Sequence, residues 1–496
     1  MKNKILIITL VLLSQAFIAC DEWLDVQPVT EIDLVDQISS ADGFNETLNG
    51  VYINMTDDNL YGHHLIYGGV EQVAQNINNT WGWGFGSLEF DNPETKQTIA
   101  KIWKGMYNVI VNNNIILDNI DDKANLFADT DYKIIKAEAL AIRAYLHFDL
   151  LRMFGDAYQN AGEEPQIPYV KTFERVRYQH LTADKVYENI FADLDQAEAI
   201  LAEVDPIVGH VYDGNLLGSY NRKYRMNYYA VLALKARVYI NKGDRSNALI
   251  YAEKLINEYD WKWVNVENLN EPDLRYKDML FFDEVVSALN VTKLESLYST
   301  WFGPDNNQYH AGNGTTNYAG YAFEVSVPPA YWWQKPTSGP GINDIRFLYL
   351  FKENENGELT ISTKYEQPAE STSSLNFMNY KTVPLIRISE MMLIAAEASL
   401  FTDKTKAVAY IKGLMEQRQV IIEDDLNGLS ESELLDIIVK EFRKETYMEG
   451  QLMYLYKRLG FTTIPAMNND HSVTTTAESF IFPLPDNELE FGNIPN

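Results

Sequence analysis

One cysteine in 496 residues excludes any internal disulfide, so stability has to come from packing alone. Histidine is scarce too, at 7 residues, and no Cys/His cluster has metal-ligand spacing. The adjacent pair His63-His64 lacks the helical spacing of a ligand pair and reads as surface polar residues. Asp425-Leu426-Asn427-Gly428 has the start of a calcium loop without the ligand positions that should follow. Basic residues are in deficit: 41 Lys and Arg face 70 Asp and Glu, a net charge of −29. That sign repels a phosphate backbone, so nucleic acid is not an expected partner. The cluster Arg222, Lys223 and Arg225 runs against the trend and reads as a solvated loop. Nucleophile elbows, His-Glu-x-x-His helices and Walker loops are all missing. With 70 acidic residues, neighbouring carboxylates arise by chance and signal no glycosidase. No catalytic residue, metal or cofactor is expected.

Apolar runs are short. The one at residues 5–13 (ILIITLVLL) falls well below the roughly 20 residues a bilayer span needs. With Lys2 and Lys4 ahead of it and Ala19-Cys20 behind, it has the layout of a lipoprotein signal peptide over residues 1–19. Phe17 stands where such sites usually carry Leu. The only cysteine then becomes the first mature residue, where two or three acyl chains at about 0.8 kcal/mol per buried CH2 make a durable anchor. Asp21 and Glu22 follow it directly.

The apolar fraction of 46% and charged fraction of 22% are those of a globular protein. Helical periodicity dominates two stretches, about 98–258 and 384–459. Ile134, Leu140, Ala144, Phe148 and Leu151 line one side of a helix that starts near Asp131 and stops at Gly155. Thr182 caps a second helix, with Leu181 and Val186 placed as a hydrophobic staple. Residues 226–258 form the clearest hairpin, turning at Asn241-Lys242-Gly243-Asp244; its length and small crossing residues resemble a tetratricopeptide unit. Similar patterns occupy about 387–418 and 430–459.

Between about 261 and 383 the periodicity fades and Gly, Asn, Tyr, Trp and Pro take over, as they do at 61–92. Aromatics reach 12% of the chain, more than a core usually needs. Rings stack on the C–H faces of sugars while Asn, Gln and Asp bond the hydroxyls, so such segments suit a glycan platform. Asn79, Trp81 and Trp83 come from the first stretch; Tyr298, Trp301, Asn307, Tyr309 and Trp332 come from the second. Gly82 and Gly84 leave Trp83 little local cover, and Trp332 and Trp333 cannot both face one way in an extended chain. The acidity of the chain favours a neutral glycan over a sulfated or uronic one.

Five segments carry a family resemblance: AEALAIRAYLHFDLLRMFGD (137–156), YYAVLALKARVYINKGDRSNALIYAEKLI (228–256), VPLIRISEMMLIAAEASL (383–400), IVKEFRKETYMEG (438–450) and FIFPLPDNELEFGNIPN (480–496). In order and spacing, behind a lipoprotein start, they resemble the SusD/RagB family of Bacteroidetes nutrient-uptake lipoproteins. The resemblance implies a mainly α fold, an alpha-alpha superhelix of tetratricopeptide-like hairpins packed against an irregular, loop-rich ligand-binding region, in one domain over 20–496. It also implies a protein on the outer membrane, exposed at the cell surface, that captures oligosaccharides and passes them to a SusC-like TonB-dependent transporter. Peptide capture on the same architecture is the alternative, and a surface glycoside hydrolase stands behind both. The family often continues Glu-Gly-His-Arg-Trp-Phe, whereas Gln451, Leu452, Met453 and Tyr454 follow Gly450 here, so the ligand is not inherited from starch-binding members.

Overall fold

The structure is a computed structural model that describes residues 37–495 apart from 78–83, 129, 175, 210–221, 303–342, 354–358, 369–379, 423–424 and 466–471; the side chains of 301–302, 352–353 and 359–361 also lie outside the description. Its longer helices are α1 (Ala41–Met55), α2 (Pro93–Asn119), α3 (Asp131–Phe154), α4 (Ala183–Val204), α5 (Tyr228–Lys242), α6 (Arg245–Glu258), α7 (Leu294–Phe302), α8 (Ile388–Ser399), α9 (Lys404–Gln417), α10 (Glu431–Glu445) and α11 (Leu452–Leu459). From α1 to α6 each helix packs on the next; α6 then packs on α8, α8 on α9, and α10 lies across α8. This is the stacked-hairpin architecture expected from the periodicity, each pair burying the face its neighbour cannot cover.

The local signals explain the boundaries. Thr182 caps α4 by accepting from the Lys185 N–H. Ser430 and Glu433 form a full capping box on α10. The α5–α6 turn closes with Gly243 at φ 85°, in the left-handed region, and Asp244 caps α6 by accepting from the Asn247 N–H. The surprise is α3. A one-sided apolar stripe was expected, yet from Ala137 to Phe154 every residue is buried. Neighbours surround it on all sides, and its charged residues are matched inside the fold. Arg143 forms a bidentate pair with Asp193 at 2.7 Å, Asp149 accepts from the Tyr61 hydroxyl at 2.7 Å, and Glu138 pairs with Arg222 and Arg225. Ion pairing lets a helix that reads as amphipathic serve as a central one.

Among the described residues the strands form four antiparallel pairs: β1 (Pro165–Pro168) with β2 (His180–Thr182), β3 (Val285–Asn290) with β6 (Thr382–Arg387), β4 (Phe351–Glu353) with β5 (Leu359–Ser362), and β7 (Thr463–Pro465) with β8 (Ser472–Thr474). The β3–β6 pair runs from Val285 opposite Arg387 to Asn290 opposite Thr382. It ties the start of the irregular stretch to the residues entering α8. No helix among the described residues is long and apolar enough to cross a membrane.

Candidate functional site

Of the expected ligand residues, Asn79, Trp81, Trp83, Asn307, Tyr309 and Trp332 lie outside the described residues, as do Cys20 and the signal peptide. Trp301 stands in the last turn of α7, its side chain beyond the description. Tyr298 is described, and it is 6% exposed, with its hydroxyl donating to the Ser362 carbonyl at 2.9 Å. That is the placement of a packing ring.

Two sequence readings are corrected. His63 and His64 are buried, at 0% and 9% exposure, with ring centroids 4.5 Å apart. Burial holds both imidazoles below their ordinary value, His64 at about 3, so they pack as neutral rings. No group of three His, Cys, Asp or Glu suited to a metal occurs among the described residues. Arg222 and Arg225 are buried as well, at 8% and 3%. Arg222 donates to Asp205 at 2.8 and 2.9 Å and to Glu138, so this cluster is internal rather than a solvated loop.

What the structure builds is the frame around the two aromatic-rich segments. Residues 61–77, read as loop from the sequence, are almost wholly buried. Gln75, at φ 58°, donates its side-chain amide to the Gly86 carbonyl at 2.8 Å. This bond joins the two ends of the segment that contains 78–83. The Gln75 carbonyl accepts from Arg443 at 2.8 Å. Glu71 accepts from the Asn76 side chain at 2.7 Å and from the Gly450 and Met448 N–H groups at 2.9 and 3.2 Å. Burial pushes the Glu71 carboxyl up to about 7, against the pull of those three donors.

The flanks of the second segment reach the same place. Tyr298 bonds Ser362, whose hydroxyl donates to the Met448 sulfur at 3.0 Å. Tyr365 donates to the Met448 carbonyl at 2.8 Å, and Lys364 donates to the Tyr447 carbonyl at 2.7 Å. On the far side of 303–342, Asp344 caps a short helix, Ile345–Leu350. Arg346 reaches Asp344, Glu441 and Glu445, each at 2.7 Å. Arg418 joins Glu284 and Glu445, while Arg387 joins Glu445 and Glu449. With Lys364 on Glu449 and Lys444 on Glu441, five cations meet five carboxylates among the described residues. Burial alone would raise the Glu445 carboxyl; Arg418, Arg346 and Arg387 hold it well below the usual carboxylate range.

The last turn of α10 and the loop after it, 441–450, is therefore a hub that anchors both aromatic-rich segments. Its geometry is tight. Gly450 sits at φ 68°, and a Cβ there would lie 2.0 Å from the Leu65 carbonyl oxygen. Sequence reasoning missed the hub's internal ions, although Arg387, Glu445 and Glu449 lie inside the motif segments.

A family profile described as starch-binding, associating with outer membrane, matches residues 22–240. The SusD-like protein P2 of Formosa agariphila is 24% identical over 91% of this chain and 90% of its own length. The SusD-like protein P25 of the same organism is 26% identical over 42% of this chain and 39% of its own length. Across these spans the chain is similar to SusD-like proteins. Solved members share its fold over nearly the whole length. A SusD superfamily protein from Bacteroides thetaiotaomicron superposes with a TM-score of 0.68 at 22% identity, covering 92% of this chain and 99% of the other. A SusD-like carbohydrate binding protein from Bacteroides vulgatus gives 0.66 at 16% identity, covering 92% and 97%. Two of the segments that carry the resemblance, 383–400 and 438–450, supply Arg387, Glu441, Glu445 and Glu449 to the frame.

Proposed function

We propose that this chain is a cell-surface lipoprotein, anchored in the outer membrane through Cys20, that binds an oligosaccharide without altering it and passes it to a SusC-like TonB-dependent transporter. The observation that carries the reading is the common anchoring of two distant aromatic-rich segments. Gln75 and Gly86 on one side, and Tyr298, Asp344 and Arg346 on the other, lead into the single hub at 441–450. A preformed frame lowers the ordering cost of binding. Trp81, Trp83 and Trp301 supply stacking rings; Asn79 and Asn307 bond hydroxyls, with Tyr309 and Trp332 extending the platform. Tyr298 serves as a support. The family profile's description and the carbohydrate-binding relative favour sugar over peptide.

Calorimetry on the mature protein against neutral oligosaccharides and mixed peptides tests this. Trp81→Ala, Trp83→Ala or Trp301→Ala is expected to cost about 1–3 kcal/mol of glycan affinity with the melting midpoint unchanged. Heat from peptides with none from sugars would replace the reading by peptide capture. New reducing ends at enzyme-like rates would replace it by hydrolysis.

A further inference from the structure

A small cavity borders the hub at Phe442, where the C-terminal ends of α3 and α5 meet α8 and α11. Its inner lobe, ≈ 20 Å³, is lined by Arg152, Arg237, Glu390, Gln451, Tyr454 and Arg458 among others. An outer lobe, ≈ 10 Å³, shares Arg152, Asn241, Tyr454 and Arg458 with it and adds Asp156 and Lys457. Space of about 10–15 Å³ is enough for one water-sized guest.

Two guanidinium groups enter this cavity with a proton to spare. Arg152, 5% exposed, stands with its Cζ 3.8 Å from the Tyr454 ring centroid and 4.5 Å from that of Phe148. It donates to Gln451 at 3.0 Å and pairs with Asp149, but among the described residues its Nε has no partner. Arg237, 3% exposed, donates to both oxygens of Glu390, at 2.7 and 2.5 Å, and to the Leu385 carbonyl at 2.9 Å. Its Nη1 has no partner among the described residues. A buried charged donor left unmatched is costly, and arginine can only donate.

Each side-chain amide or carboxylate oxygen of the inner lobe already accepts one bond. Gln451 Oε1 is taken by Arg152, both Glu390 oxygens by Arg237, and Asn241 Oδ1 by the Tyr187 hydroxyl at 2.8 Å. Only the Tyr454 hydroxyl can act either way. A water would bring two protons that must share oxygens already accepting a bond; a monatomic anion brings none. Four cationic side chains and two carboxylates line the two lobes. Asp149 and Glu397 balance Arg152 and Arg458, so the two unmatched N–H groups, not net charge, define the guest. We infer that this cavity is a buried site for a small monatomic anion of the halide class, closing the joint between the two helical stretches.

Crystals of the full chain soaked in sodium bromide test it directly. The expected result is an anomalous peak within hydrogen-bonding reach of both Arg152 Nε and Arg237 Nη1, lost in Arg237→Lys, which keeps a cation for Glu390 but removes Nη1. An ordered water alone in the cavity, no density there, or a bromide peak that persists in Arg237→Lys would each overturn the assignment. If Arg237→Lys fails to fold, the wild-type crystals decide by themselves.

Discussion

Glu445 offers the sharpest test of the hub. Its side chain is wholly buried and accepts from Arg418 at 2.6 Å and Arg346 at 2.7 Å, with Arg387 at 3.3 Å. Glu445→Gln keeps the shape, removes one charge, and leaves five cations, four of them buried, facing four carboxylates. Breaking a buried pair on one side costs about 3–5 kcal/mol, because the stranded charge stays desolvated. Unfolding entropy of about 2.1 cal/mol/K per residue amounts to about 1 kcal/mol/K for a chain of this length, so the melting midpoint is expected to drop about 3–5 °C. Differential scanning calorimetry against wild type measures it, with Glu433→Gln at the exposed capping box as control, expected not to move the midpoint. The pH dependence adds a second constraint. The folded Glu445 is held below its ordinary value, so its contribution is present above the usual carboxylate range and is lost as pH falls through the depressed value. The gap between wild type and variant should stay flat from neutral pH down to the usual carboxylate range and narrow below it. A variant melting within about 1 °C of wild type at pH 7 would mean that the hub's ions do not hold it together.

Glu71 runs the other way. Burial raises its folded value to about 7 from 4.5, so its contribution is present below 4.5 and is lost as pH rises through 7. Chemical denaturation should show a fall of about 3 kcal/mol across that window relative to Glu71→Gln, from about 1.36 kcal/mol per pH unit; parallel curves for the two proteins would refute it. Gly450→Ala should melt below Gly243→Ala. Both glycines have positive φ, a cost of about 1–2 kcal/mol for Ala, but only at Gly450 would the new Cβ overlap a carbonyl oxygen, whereas nothing lies within 4 Å at Gly243.

The helical scaffold was legible because local chemistry writes it plainly. Thr182, Asp244 and Ser430 cap where capping residues precede periodic apolar runs, and Gly243 turns where a left-handed residue is required. The burial of α3 on every side was not legible, because Glu138, Arg143 and Asp149 look like a solvent face until Tyr52, Asp193 and Tyr61, 86, 50 and 88 residues away, are brought in. His63 and His64 were misread for the same reason: a polar pair in a Gly- and Tyr-rich stretch gives no local sign of its cover. The hub was half legible. Arg387, Glu441, Glu445 and Glu449 stood inside the motif segments, but Arg346, Arg418 and Glu284 did not, and pairings such as Arg418 with Glu284 are set by tertiary structure, which no spacing rule reaches.

The bond from Gln75 to the Gly86 carbonyl has a consequence for divergence within such a scaffold. It ties off a short stretch at its neck, with Arg443 gripping the neck from below. A change confined to residues 78–83 leaves the buried posts Ile77 and Phe85 in place. A lineage could retune what it captures by rewriting a handful of codons there, and an engineer could graft a foreign recognition segment between the same two posts.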